Sequence, residues 1–222
     1  MNVLVICAHP DDETIGCGGS LLRHAARGDG VYWQILTKAH EPMWSADCIR
    51  AKEREVEEVA VAYRARDVIW SEFPSTRLDV TGLNDVIAAV RDAVGRIQPS
   101  VVYVVHHGDV HSDHAAVFRA TTTVLKPFHM CRLGVRRILA FECLSSTDAA
   151  PPTSAGAFVP NVFHDITPYI DQKLAVMALY RSEAQPYPLP RDPSSLRALA
   201  RVRGATIGVE YAEAFNVVRE ID

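Results

Sequence analysis

Two short segments concentrate the side chains that hold metal ions and move protons. Residues 8–13 read Ala-His-Pro-Asp-Asp-Glu, which sets one imidazole, His9, beside three carboxylates, Asp11, Asp12 and Glu13. Carboxylates this close raise one another's pKa unless a cation neutralises them, so a bound divalent ion is the natural resolution. Residues 106–114 read His-His-Gly-Asp-Val-His-Ser-Asp-His, four histidines in nine positions, and neutral imidazole is the commonest metal donor. Histidine and carboxylate donors suit zinc or another first-row ion such as Fe2+. Three protein ligands leave a fourth position for water, the arrangement of a catalytic site rather than a structural one.

Both segments have plainer uses as well. Asp11 and Asp12 can cap a following helix through its free N–H groups, and His106 and His107 can close a strand end. Glu13 suits a helix N-terminus, where exposed N–H groups and the dipole stabilise a carboxylate. The functional reading gains weight from where the two segments fall in the chain.

The elements that must position them follow from hydrophobic periodicity. Strands are expected over 2–8, 31–36, 68–70, 101–105 and 138–142, with a closing strand over 215–218. Helices are expected over 21–26, 49–63, 83–97, 115–125, 168–181 and 193–203, and Gly16, Gly18 and Gly19 read as a loop between the first strand and its helix. This alternation predicts the α/β class: a mostly parallel sheet with helices on both faces, joined by right-handed crossovers. In such sheets the site lies beyond the carboxyl ends of the strands. Both polar segments follow strands, at 2–8 and 101–105. Residues 147–160, rich in Pro, Ser and Ala, read as a loop or a lid.

Bulk properties narrow the function. A chain of 222 residues fits one α/β domain over 1–222. A net charge of −4 argues against nucleic acid as a partner, since phosphate binders carry a concentrated basic excess. The longest apolar runs are strand-sized, far short of the roughly 20 residues that span a bilayer. Without a basic segment, an apolar core and a cleavage site at the start, a cytoplasmic rather than a secreted location is expected. The five cysteines, at positions 7, 17, 48, 131 and 143, form no CxxC pair and read as reduced thiols without assigned chemistry. His24, His40, His129 and His164 are scattered and read as ordinary surface or core residues. Trp33, Trp44 and Trp70 are mostly core candidates, with sugar stacking as their functional alternative.

His-Pro-Asp-Asp-Glu after the first strand, followed by His111-Ser-Asp-His114, resembles the PIG-L (LmbE-like) metal-dependent deacetylases. Gly16-Cys-Gly-Gly-Ser-Leu21, Phe141-Glu142, and the stretch from Arg203-Gly204 to Tyr211-Ala-Glu-Ala-Phe215 extend the likeness nearly end to end. Phe73-Pro-Ser-Thr-Arg77, Pro160-Asn-Val-Phe163 and residues 173–190 are most similar to bacterial members encoded beside sugar-polymer genes. The resemblance implies a three-layer, Rossmann-like fold and removal of an N-acetyl group from an amino sugar or nucleotide-sugar, with room for a homo-oligomer.

Carried over by position, the resemblance implies His9, Asp12 and His114 as metal ligands, where spacing alone does not choose Asp12 over Asp11. It implies Asp11 as the general base and His111 as the donor to the oxyanion. Asp113 would orient and charge the His111 imidazole by a hydrogen bond, or else cap the helix that follows. Some relatives have a tyrosine two positions before the first His of the later motif, where this chain has Asp109. That departure leaves Asp109 to contact substrate or to tune an imidazole. Arg77, Glu142 and Arg203 are candidates for the substrate pocket, or else surface ion pairs.

Three rivals stand beside the amidase. Hydration of an unsaturated carboxylic acid uses the same kind of site in a relative of this family. A signalling receiver domain also pairs aspartates after its first strand, but lacks here a phospho-accepting Asp after the third. A carbohydrate-binding module would have no use for Asp11 and His111.

Overall fold

A computed structural model describes residues 1–151, 153 and 156–222. Seven strands, β1 (Asn2–Cys7), β2 (Gly30–Lys38), β3 (Asp67–Pro74), β4 (Val101–Val105), β5 (Arg137–Phe141), β6 (Val162–Asp165) and β7 (Ala212–Glu220), form one sheet in the order β3-β2-β1-β4-β5-β7-β6. The β1–β2, β2–β3, β1–β4 and β4–β5 pairings are parallel, and β7 runs antiparallel to both β5 and β6. The fold is therefore the expected mostly parallel α/β sheet, with an antiparallel addition at one edge.

β1 and β4 are nearly continuous runs of buried Val, Leu and Ile, as strands covered on both faces must be. They pair directly, with Val3 opposite Val101 and Ile6 opposite Val104. The chain leaves β1 toward β2 on one side and reaches β4 on the other, so the strand order reverses between them. That reversal opens a crevice at the carboxyl ends, where open α/β sheets bind ligands.

The helices are α1 (Asp12–Ala26), α2 (Ala46–Ala62), α3 (Leu83–Ile97), α4 (Ser112–Val124), α5 (Pro127–Leu133), α6 (Ile170–Met177) and α7 (Pro193–Ile207). α3 and β4 have the expected bounds. β3 extends well beyond the expected 68–70, and the closing strand extends to Ala212–Glu220 and lies inside the sheet rather than at its edge. The four-residue strand β6 and the short helix α5 are additions to the expected set. The helix expected over 168–181 is shorter, a 3-10 turn at Thr167–Tyr169 leading into α6.

One expectation is corrected outright: Gly16, Gly18 and Gly19 are not a loop but part of α1. An added Cβ would lie 2.0 Å from the Phe141 ring at Gly16 and 2.8 Å from Ile166 at Gly19, so these glycines let the helix press against its neighbours. The helix kinks at Cys17, whose φ of −141° is not helical. The kink separates two groups that an unbroken helix would join. Gly19 N–H donates to Glu213 Oε1 at 2.8 Å, and Ile15 C=O accepts from Lys173 Nζ at 2.9 Å. Glu213 and Lys173 are themselves paired at 2.7 Å and buried, so both groups freed by the kink are satisfied.

No helix among the described residues is long and apolar enough to cross a membrane. Of the expected loop over 147–160, positions 152, 154 and 155 lie outside the described residues. Further along it, the Gly156 carbonyl is 3.0 Å from His106 Nε2, and Phe158 meets the His106 ring edge-on.

Candidate metal centre

Two helix N-termini converge on the crevice. α1 brings Asp12 and Glu13 in its first turn, directly after Asp11, and α4, whose N-cap is His111, brings Asp113 and His114 in its first turn. Free N–H groups and the positive dipole ends therefore face the same space and stabilise the carboxylates gathered there.

The backbone sets the two adjacent aspartates apart. Asp11 has φ of 104°, a left-handed conformation that a non-glycine residue holds only where its surroundings impose it. Its N–H donates to Glu13 Oε2 at 3.2 Å. Glu13 is fully buried and also accepts from Thr14 Oγ1 at 2.5 Å and Tyr180 Oη at 2.7 Å. Burial raises the Glu13 pKa to about 7 against the pull of these donors. Glu13 is thus a brace for the turn, as its position at a helix start suggested.

Asp12 turns inward, where its Oδ2 accepts from the N–H groups of Ala8 at 3.1 Å and His9 at 2.8 Å. Its Oδ1 is 3.3 Å from His114 Nε2, and its Oδ2 is 3.7 Å from His9 Nδ1. Burial opposes ionisation of Asp12, but His114 and His9 outweigh it and hold the carboxyl below its ordinary range. The buried Cys143 thiol contacts Asp12 Oδ1 from behind at 3.6 Å. Asp11 turns away, placing Oδ2 2.8 Å from Arg191 Nη1. Burial raises the Asp11 pKa well above the carboxylate norm, with Arg191 opposing.

Each of two imidazoles is oriented by a carboxylate. His9 Nε2–H donates to Asp113 Oδ2 at 3.0 Å, and His114 Nδ1 lies 2.9 Å from Asp109 Oδ2. A carboxylate only accepts, so Asp113 places a proton on His9 Nε2. His9 Nδ1 and His114 Nε2 are the nitrogens that face Asp12, and both His114 nitrogens are buried without a hydrogen-bond partner among the described residues. Burial alone would lower the His114 pKa, yet Asp12 and Asp109 push it up to about 10, the mark of a site whose carboxylates call for a cation.

Asp113 and Asp109 therefore refine the expectations. Asp113 serves His9 rather than His111, and it also accepts from Thr76 N–H at 2.7 Å and Leu78 N–H at 2.9 Å. Asp109 is buried, with Oδ2 2.9 Å from His114 Nδ1 and Oδ1 accepting from the N–H of His111 at 2.9 Å, so here it contacts an imidazole and does not line the cavity. His111 caps α4, its Nδ1 accepting from Asp113 N–H at 3.2 Å. Burial and the neighbouring His9 and His114 lower its pKa, and because Nδ1 accepts, the ring's proton sits on Nε2, which is left as a donor.

The donor set fits an ion. Nitrogen atoms of His9, His111 and His114 lie within 4.8 Å of one another. The 3.3 Å between Asp12 Oδ1 and His114 Nε2 matches the edge of a tetrahedron built on bonds of about 2.0–2.1 Å, and His9 Nδ1 lies 3.7 Å from the other oxygen, Asp12 Oδ2.

The site opens into a cavity of about 180 Å³ lined by these residues together with Trp44, Trp70, Lys38, Lys52, Glu183 and Arg191. Trp33 is buried core, whereas Trp44 and Trp70 edge the cavity. Three candidates from the sequence are not brought to it. Arg77 is exposed, and Glu142 and Arg203 pair with each other at 2.6 and 2.8 Å beside a separate small cavity under α7. Arg191 was not anticipated. It follows the prolines at 186, 188 and 190, and the only local signal is the helix start at Asp192-Pro193 beside it.

The family model for GlcNAc-PI de-N-acetylase (PIG-L) matches residues 4–125. The chain is 30% identical to the uncharacterized deacetylase YaiS of Escherichia coli (strain K12), over 81% of this chain and 90% of that protein. Its fold superposes on that of a conserved protein from Thermus thermophilus with a TM-score of 0.78 at 28% identity, covering 99% of this chain and 96% of the other. It is also similar to N,N'-diacetylchitobiose deacetylase from Pyrococcus horikoshii, with a TM-score of 0.75 at 22% identity over 98% and 83% of the two chains.

Proposed function

Since the chain belongs to the PIG-L family of de-N-acetylases, we propose that it is a metal-dependent hydrolase that removes the N-acetyl group from an amino sugar or nucleotide-sugar. The observation that carries the reading is the placement of His9 by Asp113 and of His114 beside Asp109, which turns His9 Nδ1 and His114 Nε2 toward Asp12. A divalent ion such as zinc or Fe2+ held by His9, Asp12 and His114 would polarise the acetamide carbonyl and acidify the attacking water.

The chain's own groups supply the rest. Asp11, with a carboxyl pKa raised by burial against the pull of Arg191, is a stronger base than an ordinary carboxylate and takes the proton of that water. As the water oxygen bonds to the carbonyl carbon, negative charge develops on the carbonyl oxygen. His111 Nε2–H donates to it, an interaction of the kind worth about 3–4 kcal/mol in acyl transfer. The C–N bond then breaks, the amine nitrogen takes the proton from Asp11, and acetate leaves. Trp44 and Trp70 at the cavity edge offer apolar faces for a sugar ring.

The deciding experiment measures acetate release from a panel of N-acetylated sugars and nucleotide-sugars, with chelated, zinc-reloaded and Asp11→Asn protein compared. Metal-dependent release that falls by roughly 10²–10⁴ in the variant, with metal retained, is expected. Consumption of an unsaturated carboxylic acid without acetate from any sugar would replace this reading with the hydratase.

A further inference from the structure

The adjacent aspartates pose a problem of competition. Asp11 and Asp12 are both buried, next to each other in sequence, and at the mouth of the same cavity. Hard and borderline divalent ions accept carboxylate oxygen readily. If both carboxylates reached the ion, the open position would be lost and the base along with it.

Arg191 stands where it can prevent this. Its Nη1 donates at 2.8 Å to Asp11 Oδ2 and at 2.8 Å to Glu183 Oε2, bridging two carboxylates. Glu183 is held in turn by Lys52. The arginine backbone is also anchored, since its N–H donates to Gln185 Oε1 at 3.1 Å. The next residue, Asp192, caps α7 through the N–H groups of Ser194 and Ser195 at 2.8 and 3.0 Å. On the other side of the contact, the left-handed Asp11 backbone, braced by Glu13, points the carboxylate at the guanidinium. Asp12 has no such partner and is tied instead to the N–H groups of Ala8 and His9, facing the imidazoles.

We propose that Arg191 partitions the two aspartates: by holding Asp11 Oδ2 it keeps that carboxylate off the ion, so that Asp12 alone ligates and Asp11 remains free to act as base. Arg191 is a positioning residue, acting through Asp11 from 180 positions away in sequence. Its catalytic consequence rests on the deacetylase reading above; its effect on coordination does not.

The test loads wild type, Arg191→Ala, Arg191→Lys, Asp11→Asn and the Arg191→Ala/Asp11→Asn double variant with Co2+ and records visible absorption. In Arg191→Ala the released carboxylate joins the ion, and the intensity of a low-coordinate cobalt site is expected to fall at least twofold. Arg191→Lys, which keeps the charge, should recover part of it. With Asp11→Asn in place, removing Arg191 should change nothing further. On N-acetylglucosamine, or the best sugar of the panel, kcat of Arg191→Ala should drop at least tenfold with KM within twofold. An unchanged spectrum in Arg191→Ala, or the same change in the Asp11→Asn background, would overturn the proposal. Should Arg191→Ala not fold, Arg191→Lys and Glu183→Gln, which loosens the same bridge, provide the comparison. A normal cobalt spectrum with no acetate from any sugar would defeat the deacetylase reading alone, and the spectra would still decide the role of Arg191.

Discussion

His9 Nε2 lies 3.0 Å from Asp113 Oδ2, a contact between residues 104 positions apart in sequence. The same carboxylate takes the N–H groups of Thr76 and Leu78, so one side chain ties an imidazole of the candidate metal centre to the segment that follows β3.

Asp113→Asn should therefore weaken metal binding by about 10–100-fold, the usual effect of losing an orienting carboxylate. Competition with a chromogenic zinc chelator measures it, and an affinity equal to wild type would show that the contact does not orient His9.

His111 tests the division between ligand and oxyanion donor. Its Nδ1 is occupied by Asp113 N–H, yet its ring lies 4.5 Å from that of His9 and 4.9 Å from that of His114. His111→Ala should retain one metal equivalent under dialysis while kcat falls by roughly 10²–10³. Loss of the metal itself would move His111 into the ligand set.

The buried Lys173–Glu213 pair closes the kink in α1. Lys173→Met leaves a buried carboxylate without its cation and strips Ile15 C=O of its donor, a change expected to cost about 3–5 kcal/mol. Urea unfolding followed by tryptophan fluorescence would show it as a lowered midpoint with an unchanged slope. A midpoint within experimental error of wild type would mean that the kink is held by other contacts.

His164 makes stability sensitive to acid. Burial, then the nearby Arg23 and His24, lower its pKa to about 3, so the folded protein keeps this ring neutral while the unfolded chain titrates near 6.5. Between those values the unfolded state binds more protons, and stability falls as pH falls. The contribution is fully present above about 6.5 and lost toward about 3, with a slope of at most roughly 1.4 kcal/mol per pH unit. His164→Asn should flatten the dependence of Tm on pH across that window. Parallel curves for the two proteins would assign the acid sensitivity to other groups.

How much of this was legible depended on where the determining contacts lie. α3 and β4 could be read because their signals are local: apolar residues at helical spacing, a break at Pro99, then an unbroken apolar run. The two polar segments could be read because each is contiguous and follows a strand. The glycines of α1 misled, since glycine between periodic segments usually marks a loop, whereas here Phe141 and Ile166 demand the missing side chains from across the fold. The direction taken by a charged side chain was equally hidden. Glu142 and Arg203 look like pocket residues until they are seen to satisfy each other, and nothing near Arg191 in sequence points to Asp11.

The pairing of β1 with β4 also sets an order of events in the making of the protein. His9 leaves the ribosome ahead of Asp113, which orients it and follows 104 positions later. At roughly 5–20 residues per second, about 5–20 seconds of synthesis separate them. Until β4 docks beside β1, the nascent chain offers only isolated donors to any passing ion. If the proposed site takes up an ion, its capture would accordingly be a late step, timed by closure of the sheet centre, and its appearance during refolding would report that closure directly.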